Sequence, residues 1–333
     1  MPVGDIPRHF ATGGRQRVGF LLIPDFALLS FASVIEPLRA ANRLTGNDYY
    51  DWCYISPDGA AAEASSGIRI AASHRVGDDI ALDALFVFAG GNPTVFNDEA
   101  TFSWLRMLAR RGVRIGGVSG GPYILARAGL LDGYRCTIHW EHLPGFLEEF
   151  PRLAPSRVLY EIDRERMTCA GGIAALDMMR ALITRHLGPA AAAAVSEWFL
   201  QTQLRSGSGP QRLTLRERYG TASPRLLAVL KFMEGRLAEP ASRTELAQIA
   251  KVSIRQLERL FAVHLGTTIA DHYTNIRLDR ARSLVHETAM PVLEVAVACG
   301  FVSASHFSRA YKHRFGLSPR NERMAERPRR RSG

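Results

Sequence analysis

The stretch that decides the fold of the first part of the chain is VRIGGVSGGPYILARA, residues 113–128. Residues 113–118 are an apolar run that predicts a buried strand, and residues 122–128 have the apolar spacing of a helix. Ser119 lies at their junction among glycines. A strand, a sharp turn and a helix can expose a nucleophile above the carboxyl ends of parallel strands. The residues alone leave open a second interpretation, a glycine-rich turn with a capping serine.

Strand-like and helix-like segments alternate on both sides of this stretch. The predicted segments are strands at 17–23, 51–56 and 84–89, a hairpin over 157–161 and 167–170, and helices at 29–43 and 101–111. Such alternation favours a mostly parallel sheet with helices on both faces. We therefore predict a doubly wound, flavodoxin-like α/β fold for residues 17–204, followed by an all-α part.

Composition limits the class of protein. The chain has 333 residues, 47% of them hydrophobic, which is enough for two domains with their own cores. It contains no apolar run of the roughly 18–20 residues that span a bilayer, and residues 1–17 lack the apolar centre of a signal peptide. The four cysteines are far apart and form no CxxC pair, which argues against a zinc site and a disulfide framework. These features predict a cytoplasmic protein without metal, cofactor or membrane contact.

The positive charge is concentrated at the end of the chain. Residues 223–333 carry 19 Lys and Arg against 10 Asp and Glu, whereas residues 1–222 carry 23 against 22. A near-neutral front and a basic rear indicate a polyanionic partner for the rear part. A solubilising basic face is the alternative on charge alone.

The basic part contains an internal repeat of 50 residues. Residues 253–268 read SIRQLERLFAVHLGTT, and residues 303–318 read SASHFSRAYKHRFGLS. The matching positions are Ser253 and Ser303, Leu257 and Phe307, Arg259 and Arg309, Phe261 and Tyr311, and Gly266 and Gly316. The serine suits the N-cap of a helix and the glycine its end. Because a short helical run and a turn precede each copy, two helix-turn-helix units are predicted.

The second helix of each unit has one apolar and one polar stripe, which suits insertion into the major groove of DNA. A helical bundle with a solvated polar face is the alternative. The polar stripes consist of Arg255, Gln256 and Arg259 in the first copy, and Ser305, His306 and Arg309 in the second. The long helical stretch 271–288 joins the two units and would place them over successive grooves of double-stranded DNA.

The second copy and its flanks, RARSLV and VLEVAVACGFVSASHFSRAYKHRFGLSP, resemble the AraC/XylS type of DNA-binding domain over about residues 223–323. The resemblance implies a transcriptional regulator whose paired second helices read bases. It implies base contacts from Arg255, Glu258, Arg259, Ser305, His306 and Arg309. Arginine suits guanine and Glu258 suits the amine of cytosine. Phosphate contacts are expected from Lys312, His313, Arg314 and Arg320.

The first part resembles the PfpI/class I glutamine-amidotransferase superfamily over about residues 17–188, on the motifs GGVSGGPYILARAGLLDGYRCTIHW, PDFALLSFASVIEPLRAAN and AGGIAALDMM. Ser119 stands where catalytic members carry cysteine, and His139 stands where they carry a histidine. The acidic residue of the enzymes falls near Leu29 or Ser30, and neither is acidic. A serine without an oriented base is a weak nucleophile. The resemblance therefore implies a degenerate site that serves as a sensor pocket.

The stretches EPLRAAN, ANRLTG and GGVSGGP look closest to regulators of quaternary-amine and amino-acid catabolism. This resemblance implies an effector such as glycine betaine, carnitine or arginine. A cationic ligand favours aromatic faces and a carboxylate. The expected ligand-binding residues are Gly90, Gly91, Asn92, Ser119, Gly120, His139, Trp140 and Glu36. Tyr123 and Phe96 are further aromatic candidates, and for each of the three aromatic residues, Trp140 included, core packing is the more frequent explanation.

The expected domain order is a flexible leader at 1–16, the sensor domain at 17–204, a flexible linker at 205–222, the DNA-binding domain at 223–323 and a basic tail at 324–333. The expected function is a homodimeric transcriptional activator that responds to a metabolite and recruits RNA polymerase. Two alternatives stay open. One is a serine amidase or hydrolase tethered to DNA, and the other is a constitutive regulator whose front domain only dimerises.

Overall fold

A computed structural model describes residues 14–288 and 290–326, and it divides the chain into a first unit that ends at Gln211 and a second unit that begins at Arg212. Residues 1–13 of the expected leader and residues 327–333 of the expected tail lie outside the described residues. Residues 319–326 form the final helix, which therefore includes the first three residues of the expected tail.

The first unit is built on a seven-stranded sheet. Its described strands, with a small separate pair, are β1 (Gln16–Leu22), β2 (Tyr50–Ser56), β3 (Ala62–Glu63), β4 (Arg69–Ile70), β5 (His74–Arg75), β6 (Ala84–Ala89), β7 (Arg114–Ser119), β8 (Tyr160–Asp163) and β9 (Arg166–Cys169). The order in the large sheet is β5-β2-β1-β6-β7-β9-β8, and only β8 is antiparallel to its neighbour. β3 and β4 form the separate pair. The expected hairpin is β8 and β9.

Helices cover both faces of this sheet. They are α1 (Leu28–Thr45), α2 (Glu99–Arg110), α3 (Gly121–Arg127), α4 (Leu143–Glu149), α5 (Ala174–Leu187) and α6 (Pro189–Trp198). β1 shows why two faces are needed: Phe20 and Leu22 pack in one apolar core, whereas Leu21 packs in the other. Side chains alternate along a strand, so an unbroken apolar run requires a cover on each side. The doubly wound α/β prediction is confirmed.

The second unit is helical. Its helices are α7 (Leu215–Tyr219), α8 (Pro224–Gly235), α9 (Arg243–Ala250), α10 (Ile254–Leu265), α11 (Ile269–Glu287), α12 (Val292–Ala298), α13 (Ala304–Phe315) and α14 (Pro319–Glu326). Two cores lie along α11, one containing Tyr273 and the other containing Leu278. Each core holds one helix-turn-helix pair, α9 with α10 or α12 with α13.

The repeat in the sequence is a repeat in the structure. Ser253 and Ser303 cap α10 and α13, and each hydroxyl accepts a hydrogen bond from the backbone N–H three residues on. Gly266 and Gly316 end the helices with left-handed backbone, which a residue without Cβ adopts at little cost. The predicted start and end of both helices therefore agree with the structure.

The expected linker, residues 205–222, spans the boundary between the two units and forms hydrogen bonds on each side of it. Residues 205–211 bind to the first unit, where the backbone oxygen of Gly207 accepts from Leu159 N at 2.9 Å. A Cβ at Gly207 would lie 2.8 Å from the Tyr160 ring. Gly207 therefore permits close packing against Tyr160. The amino-acid composition of the segment does not show whether a glycine serves close packing or flexibility. On the other side α7 bonds to α8, where the Tyr219 hydroxyl donates to Glu234.

Candidate functional site

Ser119 ends β7 in a strained conformation. Its φ of 61° is in the left-handed region that few residues other than glycine adopt. The adjoining glycines allow the turn, because a Cβ at Gly121 would lie 2.1 Å from the Val87 carbonyl oxygen. The Ser119 side chain is nearly buried, with the residue 7% exposed. The predicted strand, sharp turn and helix are therefore present at the carboxyl edge of the sheet.

Gly171 and Gly172 pack closely beside Ser119 and Ser30. A Cβ at Gly171 would lie 2.8 Å from both Ser119 Cβ and Ser30 Oγ. Ser30, fully buried on α1, accepts a hydrogen bond from Gly172 N at 2.8 Å. The acidic residue of the related enzymes falls near Leu29 or Ser30. In the structure the neutral Ser30 hydroxyl lies beside Gly171 and Gly172.

His139 lies next to Ser119 and has a neutral imidazole. Its backbone N–H donates to the Ser119 carbonyl oxygen at 3.3 Å, so the two residues are adjacent. Burial lowers the pKa of His139 to about 4, and the charge of His142 adds to the decrease. The ring is therefore uncharged at neutral pH, and its Nδ1 accepts from Glu141 N at 3.3 Å. Trp140, the next residue, is 42% exposed.

The loop Gly90–Asn92 lies beside the same turn, since Gly120 N donates to Ala89 O at 2.9 Å. The Asn92 side chain caps the short helical turn that follows and accepts from Thr94. Asp25, which sequence reasoning missed, packs against this loop: a Cβ at Gly91 would lie 3.1 Å from Asp25 Cβ. Asp25 itself has a φ of 66°. The sequence could have drawn attention to Asp25, because the pair Pro24-Asp25 comes directly after the first predicted strand.

The structure thus brings together the elbow residues Ser119 and Gly120, the loop Gly90–Asn92 and the segment His139–Trp140. Glu36 lies six residues beyond Ser30 on α1, about 9 Å further along the helix, and its carboxylate binds Arg39. Tyr123 is in the core, packed against Phe146 and Phe150. Phe96 packs edge-on against Phe102.

The described residues contain neither a candidate metal site nor a candidate membrane-spanning helix. No group of three or more His, Cys, Asp or Glu side chains in residues 14–288 and 290–326 could hold a metal ion. In the same part of the chain, no helix combines the length and the apolar character required to cross a bilayer.

The second candidate surface consists of the outward faces of α10 and α13. Leu257 and Phe261 are buried on α10, and Phe307 and Tyr311 are buried on α13. The predicted polar stripes are exposed on both helices, and they comprise Arg255, Gln256 and Arg259, then Ser305, His306 and Arg309. Lys312, expected at phosphate, is exposed as well. Repeated placement of buried aromatic and aliphatic anchors fixes which face turns outward.

The arginines of this unit fall into two groups. Arg259 and Arg309 form neither a hydrogen bond nor an ion pair with any described residue, so their guanidinium groups can bind another molecule. Arg314 instead binds Asp279 through hydrogen bonds of 2.7–3.0 Å. Its expected phosphate contact therefore has an intramolecular competitor.

Glu258 is also engaged within the unit. Its carboxylate lies 3.7 Å from Arg243 and 3.5 Å from Ile269 N. The base contact expected of Glu258 stays a prediction and would have to compete with both partners. Val263, which the sequence analysis did not select, is 73% exposed on α10. The sequence could have drawn attention to Val263, because it is an apolar residue four positions after Arg259 on the polar stripe.

The comparisons with known proteins match both units. Residues 16–185 match the DJ-1/PfpI family, and residues 246–325 match a helix-turn-helix domain. The first range contains the sheet and the elbow, and the second begins in α9 and ends in α14.

Full-length relatives share this architecture. The HTH-type transcriptional regulator GlxA of Rhizobium meliloti is 45% identical over 305 residues, covering 91% of this chain and 94% of GlxA. The HTH-type transcriptional regulator GbdR of Pseudomonas aeruginosa is 44% identical over 313 residues, covering 93% and 85%. A solved AraC family transcriptional regulator from Pseudomonas putida superposes with a TM-score of 0.50 at 29% identity, covering 55% of this chain and 99% of that one. The chain therefore belongs to the AraC-type DNA-binding transcriptional regulators that carry a DJ-1/PfpI domain in front of two helix-turn-helix units.

Proposed function

We propose that this regulator activates transcription in response to a small metabolite that binds in the pocket around Ser119. The observation that supports DNA reading most directly is the pair Arg259 and Arg309, which lie at matched positions of α10 and α13 and are exposed without partners among the described residues. An arginine on a groove-facing helix suits the two acceptors of guanine. Activation implies a contact with RNA polymerase.

The pocket suits recognition better than catalysis. A serine nucleophile needs an adjacent base to remove its proton, and a histidine with a pKa of about 4 is a weak base at neutral pH. Ser30 offers a hydroxyl where an orienting carboxylate would act, and that hydroxyl is bound to Gly172 N. Cys169 is also a poor nucleophile, because burial raises the pKa of its thiol to about 12.

The effector proposed is a small amine or amino acid, such as glycine betaine, carnitine or arginine. The exposed Trp140 offers an aromatic face to a cationic group. Asp25, beside Gly91, is a nearer carboxylate in the loop cluster than Glu36, which binds Arg39. Binding regulates only if it favours one arrangement of the protein over another. Dimerisation through the first unit is part of this proposal.

A thermal-shift titration of the full chain with glycine betaine, L-carnitine and L-arginine tests the effector. A ligand that binds only the folded state raises Tm with concentration. Trp140→Ala should weaken that binding by roughly 0.5–2 kcal/mol if the ring contacts the cation. Trp198→Ala is the matched control, since Trp198 is 45% exposed. If the ligand raises the Tm of both variants equally, Trp140 does not contact the ligand.

The hydrolase alternative rests on one observation, the left-handed backbone of Ser119 on its sharp turn. The test is turnover of amide substrates by the wild type and by Ser119→Ala. Turnover that the substitution abolishes would support the hydrolase and contradict a pocket that only senses.

A further inference from the structure

Residues 205–211, RSGSGPQ, form a hydrogen-bonded segment that we call the strap. It is the last part of the first unit, and the second unit begins directly after it at residue 212. Its middle is fixed by backbone contacts: Gly207 O accepts from Leu159 N and Tyr160 N, and Pro210 bridges to Val158. The strap therefore lies between the candidate pocket and the DNA-binding unit along the chain.

Gln211, the end of the strap, is held by the segment that carries His139. Its side-chain Nε2 lies 3.0 Å from Thr137 Oγ1, 2.9 Å from Ile138 O and 2.8 Å from Val158 O. The carbonyl oxygens of Ile138 and Val158 can only accept, and the two N–H groups of the amide match them, which fixes the nitrogen end of the Gln211 side chain. Since His139 N bonds to Ser119 O, one continuous path of hydrogen bonds and backbone connects the elbow with Gln211.

Arg205, the start of the strap, is held by α5. Its Nε donates to the Asp177 carboxylate at 2.9 Å, and Gln201 donates to the other oxygen at 2.7 Å. Asp177 is 3% exposed and lies in the first turn of α5, which begins two residues after Gly172. The strap is thus attached at its start to α5 and at its end to the segment that leads to His139.

The two attachments differ in completeness. Asp177 accepts from both Arg205 and Gln201. The Gln211 Oε1 atom is buried and has no hydrogen-bond partner among the described residues. A buried acceptor without a partner costs free energy that offsets part of what the amide nitrogen gains. Gln211 is therefore the less completely hydrogen-bonded of the two attachments.

We propose that Gln211 is a latch through which the pocket controls the DNA-binding unit. In the latched state Gln211 binds residues 137, 138 and 158 and restrains the chain where it enters the second unit. A ligand that contacts His139 moves this segment, releases Gln211 and loosens the end of the strap next to the second unit. This inference rests on the proposed sensor function and adds the element that transmits the signal.

The test compares full-length Gln211→Ala with Gln203→Ala, a control in the preceding turn whose exposed side chain bonds to no described residue. Two quantities are measured without ligand. One is hydrogen exchange at the amides of Leu159 and Tyr160, which report the docked strap. The other is affinity for a duplex that the wild type selects from random sequence. Gln211→Ala should accelerate the exchange and change the affinity about five-fold or more, the lower end of typical couplings between sites, while Gln203→Ala matches the wild type.

The ligand arm uses glycine betaine, L-carnitine and L-arginine. A compound that raises Tm should accelerate exchange at Leu159 and Tyr160 in the wild type and in Gln203→Ala, and should change DNA affinity less in Gln211→Ala. A compound that binds and alters DNA affinity equally in all three proteins overturns the latch and leaves the sensor function standing.

If none of the three compounds binds, the proposed effector class fails and the latch is judged by the variants alone. A Gln211→Ala protein that differs from Gln203→Ala in exchange and affinity supports the latch. Identical behaviour of the two variants overturns it. Gln211→Glu guards against a general defect, because it keeps the length of the side chain and opposes the same three oxygens with a carboxylate, so it should reproduce the Gln211→Ala phenotype with unchanged helical content.

Discussion

The two helix-turn-helix units are built on the same plan and differ on their outward faces. α10 and α13 share the serine cap, the two buried anchors, the exposed arginine and the terminal glycine. Beyond the arginine, α10 presents Ala262 and Val263 where α13 presents Lys312 and His313. The shared features maintain the fold and turn one arginine outward on each helix. Lys312 and His313 have no basic counterpart on α10, and the phosphate contacts expected of them stay a prediction.

The largest expected effects concern the shared anchors. Phe261→Ala and Phe307→Ala each remove a fully buried ring, and each should destabilise its own half of the second unit by about 3–5 kcal/mol. Because the anchors lie in separate cores along α11, hydrogen exchange should accelerate first in α9–α10 for one variant and in α12–α13 for the other. Acceleration of both halves to the same degree in both variants would show that the two cores unfold as one.

The matched arginines give the next effect. Arg259→Ala and Arg309→Ala should each weaken binding to the selected duplex by about 1–3 kcal/mol and relax sequence preference at one position. Affinity measured across single-base variants of the duplex checks this. If only one of the two substitutions alters the sequence preference, the units do not read DNA in the same way.

Lys312 tests the difference between the helices. Lys312→Ala should weaken all sequences alike and reduce the salt slope of log K by about 1, because one phosphate contact is lost. The reciprocal substitution Ala262→Lys should increase the salt slope of log K by a similar amount if α10 approaches the DNA backbone as α13 does. Sequence-dependent loss in Lys312→Ala would assign this residue to bases instead.

The smallest effect is expected for Arg314, five residues after Arg309. Its ion pair with Asp279 is on the surface, where the Asp279 side chain is 54% exposed, so Arg314→Ala should cost about 0.5 kcal/mol of stability. The salt slope should not change if Asp279 retains the guanidinium in the complex. A slope reduced as in Lys312→Ala would show that Arg314 leaves Asp279 for phosphate.

The strap shows where sequence reasoning reaches its limit. RSGSGPQ has the composition of a flexible connection, and nothing nearby in the sequence indicates that Tyr160 covers Gly207 or that Thr137 receives Gln211. Glu258 is a similar case, because its position on a polar stripe suggests DNA while Arg243 and Ile269 N lie within its reach. In both cases the deciding partner is distant along the chain or on another element.

The sequence by itself determined the periodic features: the apolar runs that need two covered faces, the glycine-flanked elbow at Ser119, and the repeat with its caps and exposed arginines. These are local, since strand alternation, helical spacing and capping depend on residues within a few positions of one another. Only the tertiary structure decided that Asp25 meets Gly91, that burial keeps His139 neutral, and that Gln211 binds beside His139. These depend on which distant segments share a sheet edge and how much water they exclude, and no spacing along the chain encodes that.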